Sequence, residues 1–443
     1  MATTKITSPD LFNLESLNTA LKLPSGTTAQ RPTSPSTGEW RYNTTTNLVE
    51  FWDGGAWRDL QSENLPPIPT ENFEVVTYKG TGASKSISSL SFSPSFVWIK
   101  RYDASADHFL TFEKIETGKQ WSTNSCSGRT FNTDMITSFD SNGFTLGSNQ
   151  NVNLLDGFFV AYCFNINEGV GVANTDGSQN SNVEVNDKTK ISFITYSGTG
   201  FTTTVGHGLG VVPEFLFTRD TNNPSCWWIW HKDFPFASNY LQFSSSSLNS
   251  DTSIWNNTVP DSSVFNLGND ANVNGSGRAF MAFAMASVDG FSKVSSYTGN
   301  GSTNGPVVNT GFQPAFIMVK GSTVASQWNI IDNKRDTTNP ASHKLYANLS
   351  NAEAISDSLN FLSNGFEIIT TDGGYNANGD TYIYIAFAGD ESSTAPVLAD
   401  SFANKLYTGT GSTQSITGLG FSPNYVWMKQ TGAVDDSSPA KAM

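Results

Sequence analysis

Apolar positions along this chain come in short bursts of alternating or continuous hydrophobicity, and the bursts recur in a fixed order. Each copy opens on an aromatic-glycine signal: Tyr78-Lys-Gly80-Thr-Gly82, Tyr196-Ser-Gly198-Thr-Gly200, Tyr297-Thr-Gly299-Asn-Gly301 and Tyr407-Thr-Gly409-Thr-Gly411. The starts lie 118, 101 and 110 residues apart. These are domain-sized intervals, which predict successive small domains and not the turns of a solenoid. A second burst follows in each copy: FSPSFVWIK from Phe92 to Lys100, VVPEFLFTR from Val211 to Arg219, FQPAFIMVK from Phe312 to Lys320 and FSPNYVWMK from Phe421 to Lys429. In the first of these, Phe96, Trp98 and Lys100 alternate with Val97 and Ile99. Both faces are largely apolar, which places the strand inside a sandwich with the proline at its entrance.

Turn-plus-strand signals come next. Asn142-Gly143-Phe144 and Asn364-Gly365-Phe366 are hairpin turns, and the second copy departs here with Val264-Phe265-Asn266-Leu267-Gly268. Each complete copy closes on a strongly apolar strand: GFFVAYCF from Gly157, AFMAFAMA from Ala279 and YIYIAFAG from Tyr382. The fourth copy has opening strands but no closing one before Met443. A sandwich lacking its later strands exposes an edge, so a longer native chain, a remodelled end or a covering partner is expected.

Residues 1–65 follow a different pattern. Asp10 to Leu21 has near-helical apolar spacing after Ser8-Pro9-Asp10, which predicts a short helix. Trp40-Arg-Tyr42, Leu48 to Trp52 and Ala56-Trp57, separated by polar and glycine turns, read as a small β-meander. A meander of this size cannot hold a core alone and should oligomerise or dock. Asn64-Leu-Pro-Pro-Ile-Pro69 reads as a stiff linker.

Composition sharpens this picture. The chain has 443 residues, 14% charged and 12% aromatic, with 38 Gly and 18 Pro. Disorder goes with high charge and few aromatics, so the composition favours short strands and tight turns. The fold class expected is all-β: a small N-terminal β-meander with a short helix, then tandem antiparallel β-sandwich domains of jelly-roll or lectin-like type. The expected divisions are an attachment segment at 1–65, a linker at 66–74, and repeats at 75–169, 190–294, 295–390 and, incomplete, 404–443. A net charge of −14 argues against a generally basic nucleic-acid binder. No stretch of about 20 apolar residues and no signal peptide occurs, so membrane insertion and secretion are not expected. Cys126, Cys163 and Cys226 lack CxxC spacing and read as buried thiols.

Catalytic signals are sparse. The four histidines, His108, His207, His231 and His343, share no short spacing, and no nucleophile elbow, zinc-protease or phosphate-loop pattern occurs. A pair of carboxylates brought together by the fold remains open. Before each closing strand lies an Asn-rich loop, and in the third copy Asp372, Asn376, Asn378 and Asp380 are oxygen donors suited to Ca²⁺ or, equally, to a turn. Cys226-Trp227-Trp228-Ile229-Trp230 is the densest aromatic cluster. Trp228 and Trp230 would share one face of a strand, as a glycan-stacking platform or as core.

The third copy, with TGFQPAFIMVK, QWNIIDNKRDT, LSNGFEI and YNANGDTYIYIAFAG, resembles a repeat domain of marine bacteriophage virion proteins described as tail fibre or tail-associated. The segment RPTSPSTGEWRYNTTTNLVEFWDGGAW is similar to one common in phage appendage proteins. The resemblance implies a structural virion protein and identifies no catalytic residue; no cofactor is expected. It further implies a homotrimeric tail fibre, made in the host cytoplasm and located in the virion tail. Attachment to tail adaptor or nozzle proteins would use Trp40, Tyr42, Phe51, Trp52 and Trp57, and the far end would contact a host cell-surface glycan or protein. A capsid-attached fibre or decoration protein and a polysaccharide-degrading tailspike are the alternatives.

Overall fold

A computed structural model describes residues 23–46, 48–52, 54–59, 67–113, 119–127, 130–166, 171–389, 425–427 and 439–441. The helix expected at Asp10 to Leu21 lies outside these residues. The chain divides into two units, Met1–Leu65 and Pro66–Met443.

The first unit is the expected meander. Trp40–Asn43 pairs with Leu48–Trp52, which pairs with Trp57–Asp59, all antiparallel. A two-residue strand, Ser25–Gly26, adds in parallel beside Tyr42 and Asn43.

In the second unit each repeat lays four strands in the same order. The first repeat runs Phe73–Lys79, Phe158–Phe164, Phe96–Arg101, His108–Phe112, so the closing strand sits between the opening strand and the strand after the proline. All of these pairings are antiparallel. The second repeat repeats the order with Ile191–Ser197, Ala279–Met285, Phe215–Asp220 and Trp228–His231, and the third with Ser292–Thr298, Thr381–Ala388, Pro314–Gly321 and Asn329–Asp332. The closing strand is central because it is apolar on both faces. The third repeat begins with Ser292, ahead of the expected boundary at 295, and strands Val172–Asn174 and Ser181–Asn186 extend the second repeat's sheet.

One face of each sheet packs under its own outer strands. Val97, Ile99 and Phe159 lie in such a core in the first repeat, Leu216, Trp228 and Trp230 in the second, and Ile317, Val319 and Tyr384 in the third. The opposite faces meet one another. Phe96, Trp98 and Phe164 join Phe217, Phe243 and Phe283 and then Phe316, Trp328 and Phe387 in a single apolar cluster shared by all three repeats. Rings cross every junction: Phe96 to Phe283 at 6.3 Å, Phe243 to Trp328 at 5.1 Å and Phe73 to Phe387 at 4.9 Å between centroids.

The repeats are therefore sandwiches, but the expectation of independent domains in a row is corrected. A strand apolar on both faces needs two cores, and its second core lies between repeats. The thiol reading is corrected too. Cys126 and Cys226 form a disulfide between the first and second repeats, whereas Cys163 is free and buried.

Candidate functional site

In the N-terminal sheet, strand register sorts the residues expected to attach. Trp40 opposes Phe51 and Tyr42 opposes Val49, so these four share a face. Trp40 and Phe51 stack at 5.7 Å, yet Trp40 is 47% exposed and the other three are only half-buried. The opposite face is polar and closed. Arg41 opposes Glu50, and Glu50 is fully buried, bonded by Arg31 Nη2 at 2.5 Å and Asn43 Nδ2 at 3.0 Å, with Arg41 Nε at 3.4 Å. Burial pushes the Glu50 carboxyl up, but the Arg31 and Asn43 hydrogen bonds and the two guanidinium charges outweigh it and hold the group below its usual range. Trp52 and Trp57 lie on this second face, in tilted contact at 5.8 Å, with the Arg41 guanidinium over Trp57. The five attachment candidates thus divide: Trp40, Tyr42 and Phe51 line one partly exposed apolar face, whereas Trp52 and Trp57 support the ion cluster. A shallow groove of about 280 Å³ lies between Trp40, Trp57, Pro24 and Pro32.

The Asn-rich loops build caps and turns. Each starts a one-turn helix whose first N–H groups are capped by Asn149, Asp270 or Asp372. At the end of that turn Asn153, Asn274 and Asn376 are fully buried. Their Oδ1 atoms accept from the backbone N–H of Thr81, Thr199 and Asn300 at 2.7–2.8 Å, inside the Y-x-G-x-G turns. Their amides donate to carbonyls such as Gly147, Gly268 and Thr370. Tyr78, Tyr196 and Tyr297 donate their hydroxyls to the carbonyls of Val152, Val273 and Tyr375. The first glycine is required because a Cβ on Gly80, Gly198 or Gly299 would lie 2.0–2.3 Å from a carbonyl oxygen of the loop. The motif is a lock between the opening and closing strands. Asp372 also accepts from Lys344, and Asp380 accepts from Thr323, so these side chains are engaged within the fold. Among the described residues no group of three or more His, Cys, Asp or Glu side chains is placed to hold a metal.

Trp228 and Trp230 are corrected as a glycan platform. They are 8% and 4% exposed, inside the second repeat's outer core, where Trp228 meets Tyr240. Trp227 turns the other way, into the shared core. Alternation along a buried strand put these indoles on two inward faces.

A set of residues that sequence reading passed over holds the three repeats together. Lys100, Arg219 and Lys320 occupy the same place in the three copies, and all are fully buried. Lys100 Nζ donates to the Ser350 carbonyl of the third repeat at 2.9 Å, and Lys320 Nζ to the Ser246 carbonyl of the second at 2.9 Å. Arg219 donates to the Ser127 and Ser122 carbonyls of the first. Beside them, Trp227 Nε1 donates to Ser122 O, Trp328 Nε1 to Gln242 O, and His108 Nε2 to Tyr346 O. The third of these directions follows because His108 Nδ1 accepts from Trp98 Nε1, and burial pulls the imidazole far below its usual range into the neutral form. Each repeat thus donates to a neighbour in a closed cycle, first to third, third to second, second to first. The signal was the recurrent cation ending FVWIK, LFTR and IMVK at the inner end of an apolar strand.

These cations carry a pH dependence. Burial pulls the Lys100 ammonium down to about 8, against the smaller pull of Asp107, and burial brings Lys320 to about 8. The folded chain releases these protons near pH 8, while an unfolded lysine keeps its proton to about 10.4. The unfolded state therefore binds more protons between these values, and stability rises as pH climbs above 8. The buried Cys163 thiol, pushed up by burial, opposes this in the same range. Buried Tyr78, Tyr162 and Tyr297, also pushed up by burial, reverse the trend above about pH 10. Thermal unfolding should give a higher Tm at pH 9.5 than at pH 7.5, and the Lys100→Met/Lys320→Met double variant should lose that gain.

The geometry defines an all-β protein whose body is a ring of three interlocked repeats around one core, accompanied by a small sheet with a partly exposed aromatic face. A family model described as a domain of unknown function (DUF7483) matches residues 68–391 and 398–441, and the chain belongs to that family. No curated protein matches the sequence.

Proposed function

We propose that the protein is a structural component of a phage virion appendage, a tail fibre that attaches through its N-terminal sheet and presents the three-repeat body outward toward the host surface. The observation that carries this reading is the N-terminal sheet itself. Its interior is an ion cluster, and on its other face Trp40 is 47% exposed while Tyr42, Val49 and Phe51 are half-buried beside it. A partly exposed aromatic face on a unit too small to hold an apolar core suits attachment, and the motif-level resemblance to appendage proteins points the same way. In this reading the body needs no subunit partner, because its threefold arrangement is completed within one chain, and homotrimer contacts fall to the N-terminal sheet.

Antibodies raised against residues 75–397 should label fibres radiating from the tail of intact virions in electron micrographs. Label spread over the head would reassign the protein to a capsid-attached fibre, and virions without label would remove the proposal. The Trp40→Glu/Phe51→Glu variant should convert a trimer into monomers in sedimentation velocity while leaving the body's melting unchanged. A wild-type chain that sediments as a monomer would remove the homotrimer.

A further inference from the structure

The N-terminal unit holds a buried donor without an acceptor. Arg41 is 5% exposed, and its guanidinium is held on two sides: Nε lies 3.4 Å from Glu50, and Nη2 donates to the Thr27 carbonyl at 3.0 Å. Nη1 is buried as well and meets no acceptor among the described residues. A charged donor left in this state costs stability, so it calls for an acceptor from outside the fold. The chain also makes room for this arginine. A Cβ on Gly26 would lie 2.8 Å from Arg41 Nη2, so a side chain there would displace the guanidinium.

Arg41 lines the shallow groove of about 280 Å³. Four rings wall it, Pro24 and Pro32 on either side of the short parallel strand in the chain, and Trp40 and Trp57 from the antiparallel sheet. Glu39 stands in the same groove, exposed and in no ion pair among the described residues. One place thus offers a buried donor, apolar rings and a free carboxylate. A small anion suits it poorly, because an anion that pairs with Arg41 must also face Glu39. A sugar could stack on an indole but would set its hydroxyls against the proline walls. An extended peptide containing proline matches all three features. Its carbonyls make no internal hydrogen bonds, its rings pack on aromatic walls, and a basic side chain beside them complements Glu39.

We infer that this groove docks a proline-containing extended segment that carries an Arg or Lys, with one carbonyl of that segment accepting from Arg41 Nη1. The site gives the attachment partner a chemistry, and it rests on the attachment reading only for where that partner sits.

The test uses the full chain and a fluorescein-labelled Pro-Pro-Arg-Pro-Pro peptide, with fluorescence anisotropy for affinity and hydrogen exchange for location. Binding should saturate and protect residues 25–31 and 39–42. Glu39→Lys should weaken it about threefold and turn the preference toward Pro-Pro-Glu-Pro-Pro. Arg41→Lys, which keeps a charge but removes Nη1, should weaken it about tenfold. Glu39 lies outside the ion cluster, so its variant carries the test even where Arg41→Lys loosens the sheet. No saturation at about 2 mM peptide, equal binding of Ala-Ala-Arg-Ala-Ala, protection elsewhere in the chain, or an unchanged affinity in Glu39→Lys would each overturn the inference. Protection of the same residues by maltose and not by the peptide would overturn it in favour of a sugar site. Peptide binding by a chain that antibodies do not find on virions would keep the groove and remove the tail, whereas labelled tail fibres without peptide binding would remove the groove alone.

Discussion

Replacing Asp332 with Ala should cost about 3–5 kcal/mol in urea denaturation, the range for stranding one partner of a buried ion pair. Asp332 is fully buried and binds Arg335 Nε at 2.8 Å, while the Arg335 side chain is 2% exposed. The same carboxylate accepts from the backbone N–H of Lys334 and Arg335 and, at 3.0 Å, from the hydroxyl of Tyr162 in the first repeat. Arg335 in turn reaches Glu353 at 3.3 Å. Removing the carboxylate leaves a guanidinium charge without its main counter-ion and a buried phenol without an acceptor. An Asp332→Leu/Arg335→Met chain, with both charges gone, should recover much of the loss. A cost below about 1 kcal/mol for Asp332→Ala would contradict a network that couples the first and third repeats.

The Cys126→Ser/Cys226→Ser variant should melt about 5–10 °C below the parent, since a closed loop of this size restricts the unfolded chain by up to roughly 4–5 kcal/mol. The bonded pair is 100 residues apart and spans two repeats. Wild-type protein held in reductant during the scan should melt with the variant. Equal melting of oxidised wild type and variant would mean that the bond adds nothing to the cycle of donors that already joins these repeats.

The DNKRD motif shows how a residue pattern can be visible while its role is not. Its sequence carries the resemblance to other proteins, but only the fold shows that Asp332 and Arg335 face inward and that the carboxylate's third partner, Tyr162, lies 170 residues earlier. Trp228 and Trp230 make the same point in reverse. Their density suggests an exposed platform, but only the packing of outer strands reveals that both faces of that strand are inside. Cysteine spacing likewise carries no trace of a bond that depends on two repeats meeting side by side.

The sequence by itself determined the all-β class, the strands of the three complete copies, and the N-terminal meander. All of these follow from local pattern: period-two apolarity, Asn-Gly turns and recurrent Y-x-G-x-G starts. Strand apolarity on both faces even required two cores. Which surfaces formed the second core was decided by tertiary structure alone, because alternation in a strand records that a face is buried and not what buries it. The cycle of Lys100, Arg219 and Lys320 arises from long-range juxtaposition. Their partners lie up to 250 residues away, a separation at which local sequence pattern carries no pairing information.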